Sequence, residues 1–259
     1  MERRAGNLTM DLFILTGASR GLGRAMAEQL LGPDRLLLTI SRRPDPALQA
    51  LAATHSAPLE QWALDLAHDI GAAARLEAWL PKQDVSRLRT ATLINNAGLL
   101  GHVGPLQDAD AESTAAALRV GLEAPALLAG AFLRATDGWS IARKVLNISS
   151  GAGRRAIAGW SVYCAAKAGL DHLSRVMAED EARRPNGAKI VSLAPGVIDT
   201  DMQVNLRAAE ASGFPDQPRF KELKASSQLA SASDAAARVL AYLARPDFGA
   251  NPVADVRDA

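Results

Sequence analysis

Short apolar runs separated by stretches of helical length recur along this chain, and that alternation constrains its fold more than any other feature. The runs are Asp11–Thr16, Leu36–Ile40, Leu59–Leu64, Ala91–Asn95, Lys144–Ser149 and Lys189–Leu193. Between them, helical spacing covers Arg24–Leu31, Ala47–Ala53, Ile70–Leu80, Ala109–Ala135 and Ser161–Arg183. A strand that is apolar throughout is buried on both faces, which calls for helices on both sides of a parallel sheet. With right-handed crossovers, the expected fold class is α/β, a Rossmann-type doubly wound parallel sheet with helices on both faces in a single domain. A short last strand is expected within Pro252–Val256, where the residues alternate.

No repeat or Pro/Ser-rich linker divides the chain. Residues 199–228 carry no strand pattern but hold Gly213, Pro215 and Pro218, and are expected to form a mobile, partly helical lid on the substrate side. Residues 1–9 are expected to be a disordered or upstream start, with Met10 the natural first residue and 10–259 the domain. The 29 Lys+Arg against 28 Asp+Glu leave a net charge of +1, so no strong field favours nucleic acid or an anionic membrane. A single cysteine, Cys164, leaves no intrachain disulfide and reads as a small core residue. No apolar run is expected to reach the roughly 20 residues of a membrane helix, and the basic Met1–Arg4 start lacks the apolar stretch of a signal peptide. The expected location is cytoplasmic.

The segment Thr16-Gly17-Ala18-Ser19-Arg20-Gly21-Leu22-Gly23 joins the first strand to the first helix. Its glycines allow a tight turn and close approach of the backbone to a pyrophosphate, which the helix N-terminus favours. A Gly cluster alone is weak evidence; its place after strand one makes it specific. Eighteen residues past Gly23, where an NAD enzyme presents an acid to the ribose 2′-hydroxyl, stand Ser41-Arg42-Arg43. Two guanidinium groups and no carboxylate, with Arg20 as a third, suit a 2′-phosphate and point to NADP(H) over NAD(H). The bland reading is that Arg42 and Arg43 form a solvated strand end.

Tyr163 and Lys167 lie four residues apart near the start of a long helix, so both side chains share one face. A phenol has an ordinary pKa near 10, and a neighbouring ammonium is expected to lower it toward neutral pH for proton exchange. Ser150 ends the fifth strand, where ligands of open α/β sheets collect, and can hold a carbonyl oxygen beside the phenol. Its neighbour Ser149 reads as serving the backbone. A Tyr-x-x-x-Lys pair by itself is a common accident.

Taken together, Thr16–Gly23, Asn95-Asn96-Ala97-Gly98, Ser150 thirteen residues before Tyr163, Lys167, and Pro195-Gly196 with Thr200 resemble the short-chain dehydrogenase/reductase family over nearly the whole chain. The resemblance implies hydride transfer between a nicotinamide cofactor and a small-molecule carbonyl or alcohol. It implies Tyr163 as acid/base, Ser150 as the residue that orients substrate, and Lys167 as tuning Tyr163 and binding the nicotinamide ribose. Gly17, Ser19, Arg20, Gly21, Leu22 and Gly23 would hold the pyrophosphate, and Arg42 and Arg43 the 2′-phosphate. Asp65 and Leu66 would meet the adenine, Asn96, Ala97 and Gly98 would line the cofactor, and Pro195, Gly196, Ile198 and Thr200 would hold its nicotinamide end.

Within the family, Asn147–Ser150, Gly159-Trp160, Tyr163-Cys164 and Asp199–Gln203 are similar to a pterin-reducing branch. That likeness implies a pocket walled by Trp160, Gly196 and Met202, with Asp255 as the carboxylate that anchors the substrate. A buried aromatic, a core Met and a solvated terminal charge are the plain alternatives. One departure stands out: Gly121 occupies the place of the Asn that the family sets in the helix after strand four. Gly121 with Pro125 is expected to distort that helix locally, and an Asn at 121 is expected to be tolerated.

The expected activity is therefore NADPH-dependent reduction of a ketone or vicinal diketone. A family dehydrogenase for an unrelated substrate, and a cofactor-binding regulator without turnover, are the alternatives. No metal site is assigned. A homodimer is expected through the two long helices, with a tetramer as the alternative.

Overall fold

A computed structural model describes residues 9–258; most of the expected start segment, residues 1–8, lies outside it. Seven parallel strands form one sheet in the order β3-β2-β1-β4-β5-β6-β7. They are β1 (Met10–Thr16), β2 (Arg35–Ser41), β3 (Leu59–Ala63), β4 (Leu88–Asn95), β5 (Ala142–Ile148), β6 (Lys189–Ala194) and β7 (Val253–Asp255). The helices are α1 (Gly21–Leu30), α2 (Pro46–Thr54), α3 (Gly71–Trp79), α4 (Ala111–Leu118), α5 (Ala124–Ala135), α6 (Ser161–Ala182), α7 (Asp201–Ala208), α8 (Gln217–Ala225) and α9 (Ala232–Leu243). The Rossmann-type single domain expected from the alternation is the observed fold.

Strand periodicity divides the core into two layers. Leu12 and Ile14 of β1 face one side, where they meet Leu76 of α3 and Leu128 and Phe132 of α5. Leu15 faces the other, against Met26 of α1 and Val239 of α9. Every one of these side chains is buried. Strand order reverses between β1 and β4, so the loops that follow them diverge and open a crevice at the carboxyl edge of the sheet.

Three expectations are corrected. The single helix over Ala109–Ala135 is α4, a π-helical stretch at Arg119–Glu123, and α5. Ala111–Ala135 is, moreover, long and apolar enough to cross a membrane by length and composition, with half of its most apolar stretch buried in the fold. Its apolar residues are core: Leu128, Ala129 and Phe132 cover the sheet. The third correction is α9, in a segment where no element is expected. Its start is marked by Ser231, whose Oγ accepts from the Asp234 amide at 3.0 Å and donates to the Asp234 carboxylate at 2.7 Å.

The 199–228 segment is partly helical, as expected. Leu206 of α7, Phe220 of α8 and Phe214 of the turn between them form a third cluster with Ile157, Trp160 and Tyr163, so the apolar floor of the segment is the wall of the crevice.

Candidate active site

The crevice encloses about 870 Å³ and is lined by loops following all six of the strands β1–β6. At one end lies the turn from β1 to α1. Gly17 has φ +72°, and a Cβ there would lie 2.9 Å from the Ala97 Cα; a Cβ on Gly23 would lie 2.1 Å from the Gly17 carbonyl oxygen. Both positions therefore need glycine, one for conformation as well as space and the other for close contact. The turn is fastened by Asn96, whose Nδ2 donates to the carbonyls of Thr16 (3.0 Å) and Gly17 (3.2 Å), and by Ser41 Oγ, which accepts from the Ala18 amide at 2.9 Å. No side chain caps α1. Its first-turn amides are free to bond an anion, which is the chemistry of a pyrophosphate seat.

Arg42 lines the crevice and Arg43 does not. Both residues lie in the bend after β2, and of the expected pair only Arg42 faces the crevice. Arg20 also lines it, but its Nη1 stands 3.0 Å from Asp201 Oδ2 at the start of α7, both side chains being exposed. Arg20 thus ties the glycine turn to the 199–228 segment. Ser19, Gly21, Leu22, Asp65, Leu66, Ala97, Gly98, Pro195, Gly196, Ile198 and Thr200 all line the crevice as expected. The residues present fit a dinucleotide.

At the other end Ser150, Tyr163 and Lys167 converge. Ser150 follows β5, and its Oγ accepts from the Ala152 amide at 3.2 Å, which fixes its rotamer. Trp160 stacks on Tyr163 with ring centroids 4.3 Å apart and planes 7° from parallel, which seals one face of the phenol ring. Lys167 is 5% exposed; its Nζ donates to the Ile148 carbonyl at 2.7 Å and sits 5.6 Å from the Tyr163 ring centre. Burial pushes the Tyr163 phenol up to about 12, with Ser150 pulling the other way. The expected lowering by Lys167 is therefore not seen. Desolvation of the phenolate dominates. Burial likewise lowers Lys167 to about 8, against an upward pull from Asp171.

Asp171 is a residue that the motifs did not single out. It is 2% exposed, accepts from Ser192 Oγ at 2.6 Å, and meets Arg154 Nε at 3.3 Å. It joins α6 to β6 and to the loop behind Ser150. The available signal was its spacing of four from Lys167 on the buried helix face.

Met202 lines the crevice, and Asp255 does not. Asp255 is 5% exposed and its carboxylate is already occupied. It accepts from Arg257 Nε at 2.8 Å, Arg257 Nη2 at 2.6 Å and the Arg257 amide at 3.0 Å. The expectation of a free substrate-anchoring carboxylate is corrected: Arg257 is what faces the crevice.

Gly121 lies in the π-helical stretch, and a Cβ there would stand 3.0 Å from the Ala166 Cβ, next to Lys167. Glycine lets this stretch approach α6, and a side chain at 121 would need Ala166 to give way by a few tenths of an ångström. Gly121→Asn is expected to lower stability by about 1–3 kcal/mol, the usual cost of overpacking a close contact, as measured by urea unfolding. An unchanged midpoint would show that α6 gives way freely.

A family model for short chain dehydrogenases matches residues 11–211. The chain belongs to the short-chain dehydrogenase family. Over 239 residues, 92% of this chain and 96% of the relative, it is 33% identical to a benzil reductase ((S)-benzoin forming) of Bacillus cereus. Over 268 residues, 98% of this chain and 99% of the relative, it is 34% identical to the sepiapterin reductase of Meriones unguiculatus. A solved short-chain dehydrogenase/reductase from Burkholderia vietnamiensis is 36% identical, covers 97% of this chain and 99% of its own, and superposes with a TM-score of 0.64. As a short-chain dehydrogenase the chain is an oxidoreductase, and its likeness to sepiapterin reductases matches the branch expected from Trp160 and its neighbours.

Proposed function

We propose that this oxidoreductase is an NADPH-dependent carbonyl reductase acting on a ketone or vicinal diketone, with Tyr163 as general acid. The observation that carries the reading is a buried phenol, neutral up to about pH 12, standing with Ser150 at the end of a crevice that fits a dinucleotide. A neutral phenol is the form that can give a proton to a carbonyl oxygen as that oxygen gains charge. The nicotinamide cofactor, when bound, supplies the hydride. Ser150 Oγ–H donates to the substrate oxygen and holds it beside the Tyr163 hydroxyl. The Tyr163 proton passes to that oxygen, giving the alcohol and a phenolate. Lys167, fixed on the Ile148 carbonyl, lies beside the ring and opposes the phenolate charge until solvent returns the proton. Trp160, Ile157 and Phe220 keep the reacting carbonyl in apolar surroundings. The names of the benzil and sepiapterin reductase relatives favour reduction over oxidation as the working direction.

The preference for NADPH rests on Arg42, which faces the crevice past the glycine turn, where no carboxylate follows β2 within Ser41–Arg43. Arg42→Asp is expected to weaken NADPH binding about tenfold or more and to favour NADH, since one charge-assisted hydrogen bond is worth roughly 1.5–3 kcal/mol. Titration of both cofactors by fluorescence checks this, and an unchanged ratio contradicts it. We further take the chain to work as a homodimer through α5 and α6, a reading supported by exposed Leu127 and Val176 on those helices. Sedimentation as a monomer contradicts that part.

A further inference from the structure

Three arginines that line the crevice have no role in the reduction chemistry: Arg155, Arg219 and Arg257. The place of Arg257 is set through Arg154, four residues after Ser150. Its Nη2 donates to the Ala254 carbonyl at 2.6 Å and its Nη1 stands 4.0 Å from Asp255 Oδ2. The Asp255–Arg257 pair therefore lies against the Ser150 loop, away from Arg20 and Arg42 at the glycine turn. Two hydrogen bonds to one buried carboxylate hold the Nε–Nη2 edge of Arg257, a third comes from its backbone amide, and Nη1 is left without a hydrogen-bond partner among the described residues. A guanidinium held on one edge and free on the other is preorganised for a second anion.

The carboxylates that line the crevice do not answer these arginines. Asp199 is paired with Lys224 at 2.5 Å, and Asp201 with Arg20 at 3.0 Å. Asp65 accepts from the Ala67 amide after β3. Arg219 meets Asp216 only at 3.7 Å, and Arg155 makes no ion pair among the described residues. Beside this positive rim stands an apolar wall of Trp160, Ile157 and Phe220. An apolar carbonyl compound that also bears an anion satisfies both surfaces, whereas a ligand edge made of N–H donors meets no free carboxylate.

We propose that Arg257, held on Asp255, forms with Arg155 an anion subsite that binds the carboxylate of an apolar 2-oxo acid while its ketone lies at Tyr163. This rests on the carbonyl-reductase reading and names its substrate class. Arg219, from α8, closes the subsite from the 199–228 side.

The test compares two probes with NADPH: phenylglyoxylate, which carries the carboxylate, and 1-phenyl-1,2-propanedione, its neutral counterpart. The unaltered protein is expected to favour phenylglyoxylate in kcat/KM. Arg257→Ala is expected to lower the phenylglyoxylate-to-dione ratio of kcat/KM at least about tenfold through KM, the size of one charge-assisted hydrogen bond. Arg257→Lys should recover part of the loss. Arg155→Ala removes an exposed side chain without an ion-pair partner, so it answers even if Arg257→Ala fails to fold, and it should lower the same ratio. Arg245→Ala, whose side chain is paired with Asp247, should leave the ratio unmoved. An unchanged ratio in the Arg155 and Arg257 variants overturns the subsite, as does a loss of NADPH affinity as large as the loss for phenylglyoxylate. Turnover of the dione with none of phenylglyoxylate overturns the subsite alone; turnover of neither overturns the reductase reading as well.

Discussion

Replacing Tyr163 by Phe is expected to leave the fold and NADPH binding intact and to lower turnover at least about a hundredfold, the usual worth of a positioned general acid. The ring is what the surroundings hold: Trp160 lies flat on it at 4.3 Å, and Lys167 stands over it at 5.6 Å. Phe keeps both contacts and removes only the hydroxyl. Its two partners do not replace it: an aliphatic hydroxyl such as Ser150 is a weaker acid than a phenol, and Lys167 is turned to the Ile148 carbonyl. Single-turnover kinetics together with a fluorescence titration of NADPH check the result. Retention of most of the activity would remove Tyr163 from the chemistry.

The second large effect is on stability against pH. Burial lowers the Lys167 ammonium from 10.5 to about 8, so between those values the folded chain has released a proton that the unfolded chain keeps. Stability therefore rises with pH across that window, by roughly 3 kcal/mol at about 1.36 kcal/mol per pKa unit. Tyr163 acts in the opposite sense above pH 10.0, where the unfolded phenol ionises and the folded one, held to about 12, does not. The cofactor-free protein should thus gain stability from pH 8 to about 10 and lose it again above about 10.5. Lys144 is also lowered by burial and contributes in the same direction, so the Lys167 share is read as a difference. Lys167→Met is expected to be the more stable protein at pH 7 and to lose most of the rise, in urea midpoints measured from pH 7 to 10. Parallel curves for the two proteins would mean that Lys167 is not desolvated.

The fold was legible because apolar runs buried on both faces leave few alternatives to a parallel sheet. The glycine turn, Ser150, Tyr163 and Lys167 were legible because each follows a strand or starts a helix, so local chain geometry sets its direction. Side chains whose roles depend on distant or competing partners were not. Arg20 is drawn to Asp201 across 181 positions of sequence. Asp255 was read as a substrate anchor or a solvated charge, and its pairing with Arg257 was not anticipated. The π-helical stretch at Arg119–Glu123 was anticipated only as a distortion near Gly121, and local sequence does not say how closely that stretch packs on α6. Helix α9 was missed although five of its twelve residues are alanine and its buried Ala235, Ala236, Val239 and Leu243 recur at helical spacing.

The central claim is that this crevice reduces a carbonyl with NADPH. Its most direct test follows the loss of NADPH absorbance with a neutral vicinal diketone and identifies the product. The account predicts saturable oxidation of NADPH, an α-hydroxy ketone as product, and at least about a tenfold preference over NADH. Folded protein that binds NADPH and turns over no ketone or diketone with either cofactor would contradict it.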